Sequence, residues 1–235
     1  RAIYDKLVKD PKLIAKYNGN VDSLKNKILS NLYGIALNQN SKAVTIKNLN
    51  GFGYNVTVVT NYVNKLRENK LADIIKEEFG EDMKIDVVIG NPPYQEDTDG
   101  GGSKTRGMPL YDKFIINAQE VADTVSMITP VRWYTQPEKE FEALRKTMLN
   151  GQLEKLVDFE DATKCFGKCV SIAGGVSYWL WRKDRKGLTK ITRDDETWDA
   201  DLTKRNILLR DKMANDIVDK IDYSKTVNTF DNIVS

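Results

Sequence analysis

Asn91, Pro92, Pro93 and Tyr94 stand consecutively in the chain, and their types suit one kind of chemistry. Asn91 supplies a neutral amide. Pro92 and Pro93 stiffen the backbone and remove N–H donors, so the carbonyls around them are left as acceptors only. Tyr94 adds a flat aromatic face. A planar ligand that carries an amino group fits this set, because the amide oxygen and a proline carbonyl accept both amino hydrogens while the ring stacks on the phenol. Read blandly, the same tetrapeptide is a stiff turn. What precedes it is Ile85-Asp86-Val87-Val88-Ile89-Gly90, a β-branched run without helical spacing. That run reads as one buried parallel strand with the tetrapeptide at its end.

Composition removes several other chemistries. The 235 residues include no histidine, which excludes the usual general base and every Ser-His or Cys-His nucleophile. Cys165 and Cys169 are the only cysteines. Without histidine they do not complete an ordinary zinc site, so thiols and no metal are expected. The net charge of +2 is nearly balanced, and any nucleic-acid footprint must therefore be local. No apolar run approaches a membrane span and no signal-peptide pattern opens the chain, so a cytoplasmic protein without membrane contact is expected.

The elements that must position Asn91 to Tyr94 follow from periodicity. With 40% hydrophobic and 30% charged residues, the chain has enough apolar mass for one domain and part of a second. Ile3, Tyr4, Leu7 and Val8 share a helical face, whereas the polar stretch holding Asp10-Pro11 and Asn18-Gly19-Asn20 reads as loop or a short insertion. Asn31 to Asn38 reads as a strand, followed by a helix with Ser41 as cap and Gly51 as stop. Val56 to Val59 is the next strand, and Leu71, Ile74, Ile75 and Phe79 form a helical stripe leading back to the tetrapeptide strand. After Tyr94, Asp97 to Gly107 lacks Walker spacing and reads as a solvated linker or as a flap that brings Lys104 and Arg106 to phosphates. A helix through Tyr111, Phe114, Ile115, Ala118 and Ala122, a strand from Val125 to Thr129-Pro130, a helix through Phe141, Leu144, Met148 and Leu149, and a strand from Leu153 to Phe159 complete the alternation. From Arg182 a charged turn leads to a helix carrying Leu209, Met213, Ile217 and Ile221. The alternation predicts an α/β fold with a doubly wound, mostly parallel sheet, whose ligands sit outside the carboxyl ends of the strands. Asn91 to Tyr94 and Thr129 to Tyr134 both fall at such ends.

On these residues the chain resembles the adenine-specific, amino-methylating DNA methyltransferases of restriction-modification systems, which carry Asn-Pro-Pro-Tyr at a strand end. The resemblance spans Asn31 to Trp181. It implies a Rossmann-like fold, S-adenosylmethionine as cofactor and double-stranded DNA with a flipped adenine as partner, along with fused or separate endonuclease and specificity regions. It implies Asn91, Pro92, Pro93 and Tyr94 as the catalytic set. Phe166 becomes a target-base contact, with ordinary core packing as its alternative, and Cys165 to Gly167 and Ser171 to Trp181 become the last strands of the sheet. Gly34, Ala36, Leu37 and Asn61 fall on the cofactor side. Residues 1–188 would be the catalytic core, and 189–235 a linker or the start of a target-recognition region.

The sequence departs from the family at one informative position. Ala36 stands where the family has an acid for the ribose hydroxyls, and an alanine side chain makes no hydrogen bond. That strand therefore reads equally as plain core. No glycine-rich loop lies between Arg1 and Asn31, so the resemblance implies an N-terminally incomplete fragment that lacks the first strand and cofactor loop and is inactive alone. Two other functions stay open. One is methylation of a protein glutamine amide, which uses the same tetrapeptide; the other is a non-catalytic, methyltransferase-like module that binds nucleic acid or a partner.

Overall fold

The computed structural model describes residues 2–36, 38–48, 55–95, 108–135, 141–167 and 172–220. The chain divides into two compact units, Arg1–Glu81 and Asp82–Ser235. In the first unit, α1 (Ala2–Leu7), α2 (Pro11–Lys16) and α3 (Val21–Ser30) precede β1 (Tyr33–Ala36), α4 (Gln39–Asn48), β2 (Asn55–Val58), α5 (Tyr62–Arg67) and α6 (Leu71–Phe79). β1 and β2 pair in parallel, from Tyr33 opposite Asn55 to Ala36 opposite Val58. Leu24, Leu29, Leu66, Leu71, Ile74 and Ile75 are among its buried apolar side chains.

Two expectations change in this unit. Asn18-Gly19 forms the expected turn, but Pro11–Lys16 is helical, because Asp10 accepts hydrogen bonds from the Lys12 and Leu13 amides at 2.8 and 3.2 Å while Pro11 opens α2. Asp-Pro here is a helix start, since proline at the first helical position removes only an N–H that had no partner. Likewise α4 starts at Gln39, capped by Asn38 through the Ser41 amide at 2.8 Å, so Ser41 lies inside the helix. Gly51, its expected stop, lies outside the described residues, as does Leu37.

The second unit holds β3 (Ile85–Gly90), α7 (Tyr111–Val121), β4 (Ala122–Pro130), α8 (Glu142–Met148), β5 (Leu153–Phe159), α9 (Thr163–Phe166), β6 (Val176–Arg182), β7 (Thr189–Arg193), β8 (Glu196–Ala200) and α10 (Lys212–Asp219). Among the described residues its strands form one sheet in the order β3-β4-β6-β5-β7-β8. The fold is α/β, as expected, and the sheet is mixed. β3 and β4 run parallel, as do β5 and β7, whereas β6 runs antiparallel to both β4 and β5. Among the described residues the link from β5 to β6 carries the one-turn α9, and β6 runs back from the edge at which β5 ended. Trp133, Trp179, Tyr111, Tyr134, Phe141, Leu144 and Leu153 are fully buried around this sheet. Each such side chain contributes roughly 1.5–3 kcal/mol or more on burial. Trp179 Nε1 donates to the buried Thr129 Oγ1 at 3.1 Å, tying β6 to β4.

Further differences concern the elements around the tetrapeptide. β3 is parallel to β4 but not buried: it is an edge strand of the sheet, and Val87 and Ile89 are 55% and 50% exposed. A short apolar run alone does not reveal which of its faces is covered. Cys165 and Phe166 sit in α9, not in a strand. β7 and β8 extend the sheet through Ala200 in residues read from sequence as linker or recognition region. They form a hairpin across Asp194-Asp195, with Asp194 at φ +50°, opposite Arg193 paired with Glu196.

Candidate active-site cleft

β3, β4 and β5 all end on one edge of the sheet, and β6 begins there: Pro130 and Phe159 both pair with Val176. An open cleft of about 880 Å³ lies at this edge. It is lined by Asn91 to Gln95 after β3, by Pro130 to Arg132, Tyr134 and Thr135 after β4, and by Tyr111, Phe166, Ile172 to Gly174 and Arg210. Asn91, Pro92, Pro93, Tyr94 and Phe166, distant in sequence, thus share one cleft. Gly34, Ala36 and Asn61 belong to the other unit, and Leu37 is outside the described residues.

The tetrapeptide is held from below. Pro92 is buried while Asn91 and Pro93 are exposed, so the amide stands in the open while one proline anchors the turn. The Leu110 amide donates to the Tyr94 carbonyl at 3.3 Å, and Gln95 bridges to Pro109, which fixes the start of α7 beside the turn. Tyr94 packs edge-on to Tyr111 at 6.5 Å between ring centres, and Tyr111 stacks on Phe141 at 5.6 Å. This aromatic series carries the half-buried Tyr94 ring on the fully buried core. The Tyr94 hydroxyl is buried without a hydrogen-bond partner among the described residues. Burial, with a smaller contribution from Cys165, pushes its pKa up to about 12. The phenol is therefore neutral throughout the physiological range.

The rest of the lining is assembled from separate segments. After β4 a single turn of 3-10 helix, Val131–Tyr134, buries Trp133 and Tyr134, and Arg145 Nη1 donates to the Trp133 carbonyl at 3.3 Å. Gly174 and Gly175 both have positive φ, +85° and +93°, and the Val131 amide donates to the Gly175 carbonyl at 3.4 Å. A Cβ on Gly175 would lie 2.1 Å from the Phe159 carbonyl oxygen and 2.7 Å from that of Glu160. Only glycine fits there.

Behind this turn lies an ion pair that sequence reasoning does not single out. Asp158, buried at the end of β5, accepts from Arg210 Nε at 2.8 Å and from Arg210 Nη2 at 3.0 Å. Arg210 Nη1 donates to the Gly174 carbonyl at 2.8 Å, and the guanidinium lies 5.9 Å from the centre of the Tyr134 ring. Burial raises the Asp158 pKa, outweighing the opposite pull of Arg210 and Arg193. Burial also holds the Tyr134 phenol well above its ordinary value, and the Asp158 charge adds to this. A signal for Asp158 exists in the sequence, because it shares the parity of the buried Leu156 in a strand and a carboxylate there requires a partner. Nothing comparable marks Arg210.

Electrostatically, Arg132 and Arg210 line the cleft and no carboxylate does among the described residues. The wall offers an exposed amide, aromatic faces and cations, a set suited to a planar amine joined to a polyanion. Lys104 and Arg106, the flap residues of the sequence reading, lie outside the described residues, as does Cys169.

On the cofactor side, the side chains differ in fitness. Asn61 is an exposed amide at φ +55° whose side chain is not spent on capping α5, so it is suited to hydrogen-bond a ligand. Ala36 is buried at the end of β1 and presents no polar side-chain atom, so it does not fit the role of a ribose-binding acid. Among the described residues no helix is long and apolar enough to cross a membrane.

Comparison with known proteins gives a family. The Eco57I restriction-modification methylase model matches residues 30–166, more than half of the chain. A curated relative described as an uncharacterized adenine-specific methylase, from Mycoplasma pneumoniae (strain ATCC 29342 / M129 / Subtype 1), is 30% identical over 190 residues, covering 68% of this chain and 44% of the relative. The chain thus spans less than half the length of that relative. Among solved structures, a modification subunit of a putative type I restriction enzyme from Vibrio vulnificus YJ016 aligns with a TM-score of 0.49 at 13% identity, over 84% of this chain and 43% of that one. The M protein of the type I restriction enzyme EcoKI aligns with a TM-score of 0.48 at 12% identity, over 77% and 39% respectively.

Proposed function

Because the chain belongs to the Eco57I restriction-modification methylase family, we propose that the protein methylates the exocyclic amino group of an adenine flipped out of double-stranded DNA, within a restriction-modification enzyme. The observation that carries this reading is the shared cleft, with Asn91 to Tyr94, Phe166 and two arginines on its lining. When bound, S-adenosylmethionine supplies the electrophilic methyl group.

The task of this chain's own residues is to make a poor nucleophile competent. An adenine amino nitrogen has its lone pair delocalised into the ring. Acceptors aimed at both N–H bonds favour the pyramidal geometry in which that lone pair is available. The Asn91 side-chain oxygen and the Pro92 carbonyl are those acceptors, acting by preorganised electrostatics and not by prior removal of a proton. This suits a chain without histidine. Tyr94 stacks on the extruded base, a contact worth about 1–3 kcal/mol in comparable sites, and Phe166 adds apolar contact. Fixing the base in line with the methyl donor supplies much of the remaining acceleration. Arg132 favours the phosphates that come with the base; Arg210 is already paired with Asp158.

Asn61 and Gly34 are retained as cofactor contacts in this proposal. Ala36 is not a fit for the ribose, and no step is routed through it. The catalytic core is taken to run through β8, with any target-recognition region after Ala200.

Ala36 favours a second reading, a non-catalytic methyltransferase-like module that binds nucleic acid or a partner. Incubation of the intact protein with methyl-labelled S-adenosylmethionine, DNA and a glutamine-containing protein substrate separates the readings. Label on DNA adenine is the expected result. Label on protein supports glutamine methylation instead, and DNA binding without any transfer supports the non-catalytic module.

A further inference from the structure

We propose that Arg210 is a positioning residue of the cleft, one that holds the turn ending at Gly174 and the Tyr134 ring in place so that the extruded base is held in line for methyl transfer; this rests on reading the cleft as the adenine site. Arg210 lies outside the family-matched residues, which end at 166. Its guanidinium joins pieces of the lining that share no strand. Nε and Nη2 grip Asp158, Nη1 donates to the Gly174 carbonyl, and the cation covers Tyr134 at 5.9 Å.

The backbone on which Arg210 is carried is itself anchored to the same parts. The Leu208 amide donates to the Tyr134 carbonyl at 3.0 Å, and Arg193 Nη1 donates to the Arg210 carbonyl at 3.3 Å. Asp158 directly precedes Phe159 and Glu160, whose carbonyls abut Gly175. Residues 208–210 therefore form a strap that ties Tyr134 and Arg193 to the back of the cleft. At its centre, one fork-shaped cation satisfies a carboxylate and a carbonyl simultaneously, which a single ammonium does not reproduce.

Loss of this fork frees the Gly174 turn and Tyr134 without touching Asn91 to Tyr94. The consequence is a base bound but less well aligned, which lowers kcat more than it weakens binding; a misplacement of about 1 Å costs up to about a hundredfold in rate.

The test uses the intact enzyme with Arg210→Lys and Arg210→Met, measuring kcat and KM on adenine-containing DNA and counting folded sites by S-adenosylmethionine binding. Per folded site, kcat is expected to fall about tenfold or more in Arg210→Met and by a smaller factor in Arg210→Lys, with KM for S-adenosylmethionine within about twofold of wild type. Adding Asp158→Asn to Arg210→Met is expected to cost little more than Arg210→Met alone, since the two act as one unit. A loss that vanishes once folded sites are counted overturns the proposal. If Arg210→Met does not fold, Arg210→Lys decides: a wild-type kcat there overturns it. A wild-type enzyme that methylates no DNA adenine overturns the reading of the cleft itself, a distinct outcome from active wild type with indifferent Arg210 variants.

Discussion

Asn91 to Tyr94 reach the cleft as consecutive residues at the end of one strand, whereas the remaining lining draws Pro130 to Thr135, Phe166, Ile172 to Gly174 and Arg210 from separate places in the chain. The consecutive wall needs little to hold it: the end of β3, a buried Pro92 and the Tyr94–Tyr111–Phe141 ring series. The composite wall depends on long-range contacts, with Asp158 and Arg210 separated by 52 positions and Gly175 packed on the carbonyls that end β5. In this molecule the groups proposed for chemistry are local in sequence and the groups that shape the space around them are not. The walls should therefore fail differently when broken, one in rate with the packing intact, the other through the packing that shapes the cleft, in stability as well as rate.

The largest effect is expected at the consecutive wall. Asn91→Ala removes an acceptor proposed to act on the developing charge, and loss of one such preorganised group costs about 10²–10³-fold in kcat. Because Asn91 is exposed, the melting temperature should not move. Steady-state methylation kinetics beside a thermal melt check both halves. A kcat within a few-fold of wild type would remove the chemistry from this wall.

Gly175→Ala breaks the other wall. The new Cβ meets the Phe159 carbonyl oxygen at 2.1 Å, at a φ of +93° that side chains rarely adopt. The backbone conformation alone costs about 1–3 kcal/mol, and relief of the overlap must displace the end of β5. The denaturant midpoint should fall accordingly, with any rate loss following from the disturbed wall. An unchanged midpoint would mean that the turn is not wedged against β5, and the contrast between the walls would lose its basis.

The same contrast explains what was legible in the sequence. A tetrapeptide on a β-branched run declares itself because its signal is local, whereas Phe166 is reached only through the family resemblance. β7 and β8 are hidden in the sequence although Thr189 and Ile191 are buried in alternation and Asp194-Asp195 makes their turn; the surrounding charges mask a short hairpin. The Asp10-Pro11 helix start reads as a break because proline ends a helix everywhere except in its first turn. Asp158 could have been flagged as a carboxylate in core register. Arg210 could not, since a partner 52 residues away leaves no periodic trace. Asn91 to Tyr94 were placed correctly at a strand end, but exposure of Val87 and Ile89 depends on which strands lie beside β3, and a run of apolar residues does not encode that.

The smallest effect sharpens what the consecutive wall consists of. If Tyr94 acts through its ring, Tyr94→Phe keeps the stacking face and the packing on Tyr111, and kcat should stay within about twofold of wild type. The hydroxyl is buried without a partner among the described residues, so its removal should be neutral or slightly stabilising. Its folded-state pKa is raised, chiefly by burial, to about 12. The stability linked to the neutral phenol is thus fully present below the unfolded value of about 10 and is lost as pH rises from there through the folded value. Between about pH 7 and pH 10 the rate profiles of wild type and Tyr94→Phe should therefore superimpose, and only more alkaline unfolding should separate them, with the wild type losing stability first. A rate loss in Tyr94→Phe as large as that in Asn91→Ala would give the hydroxyl a chemical role and make the wall more than two acceptors and a flat face.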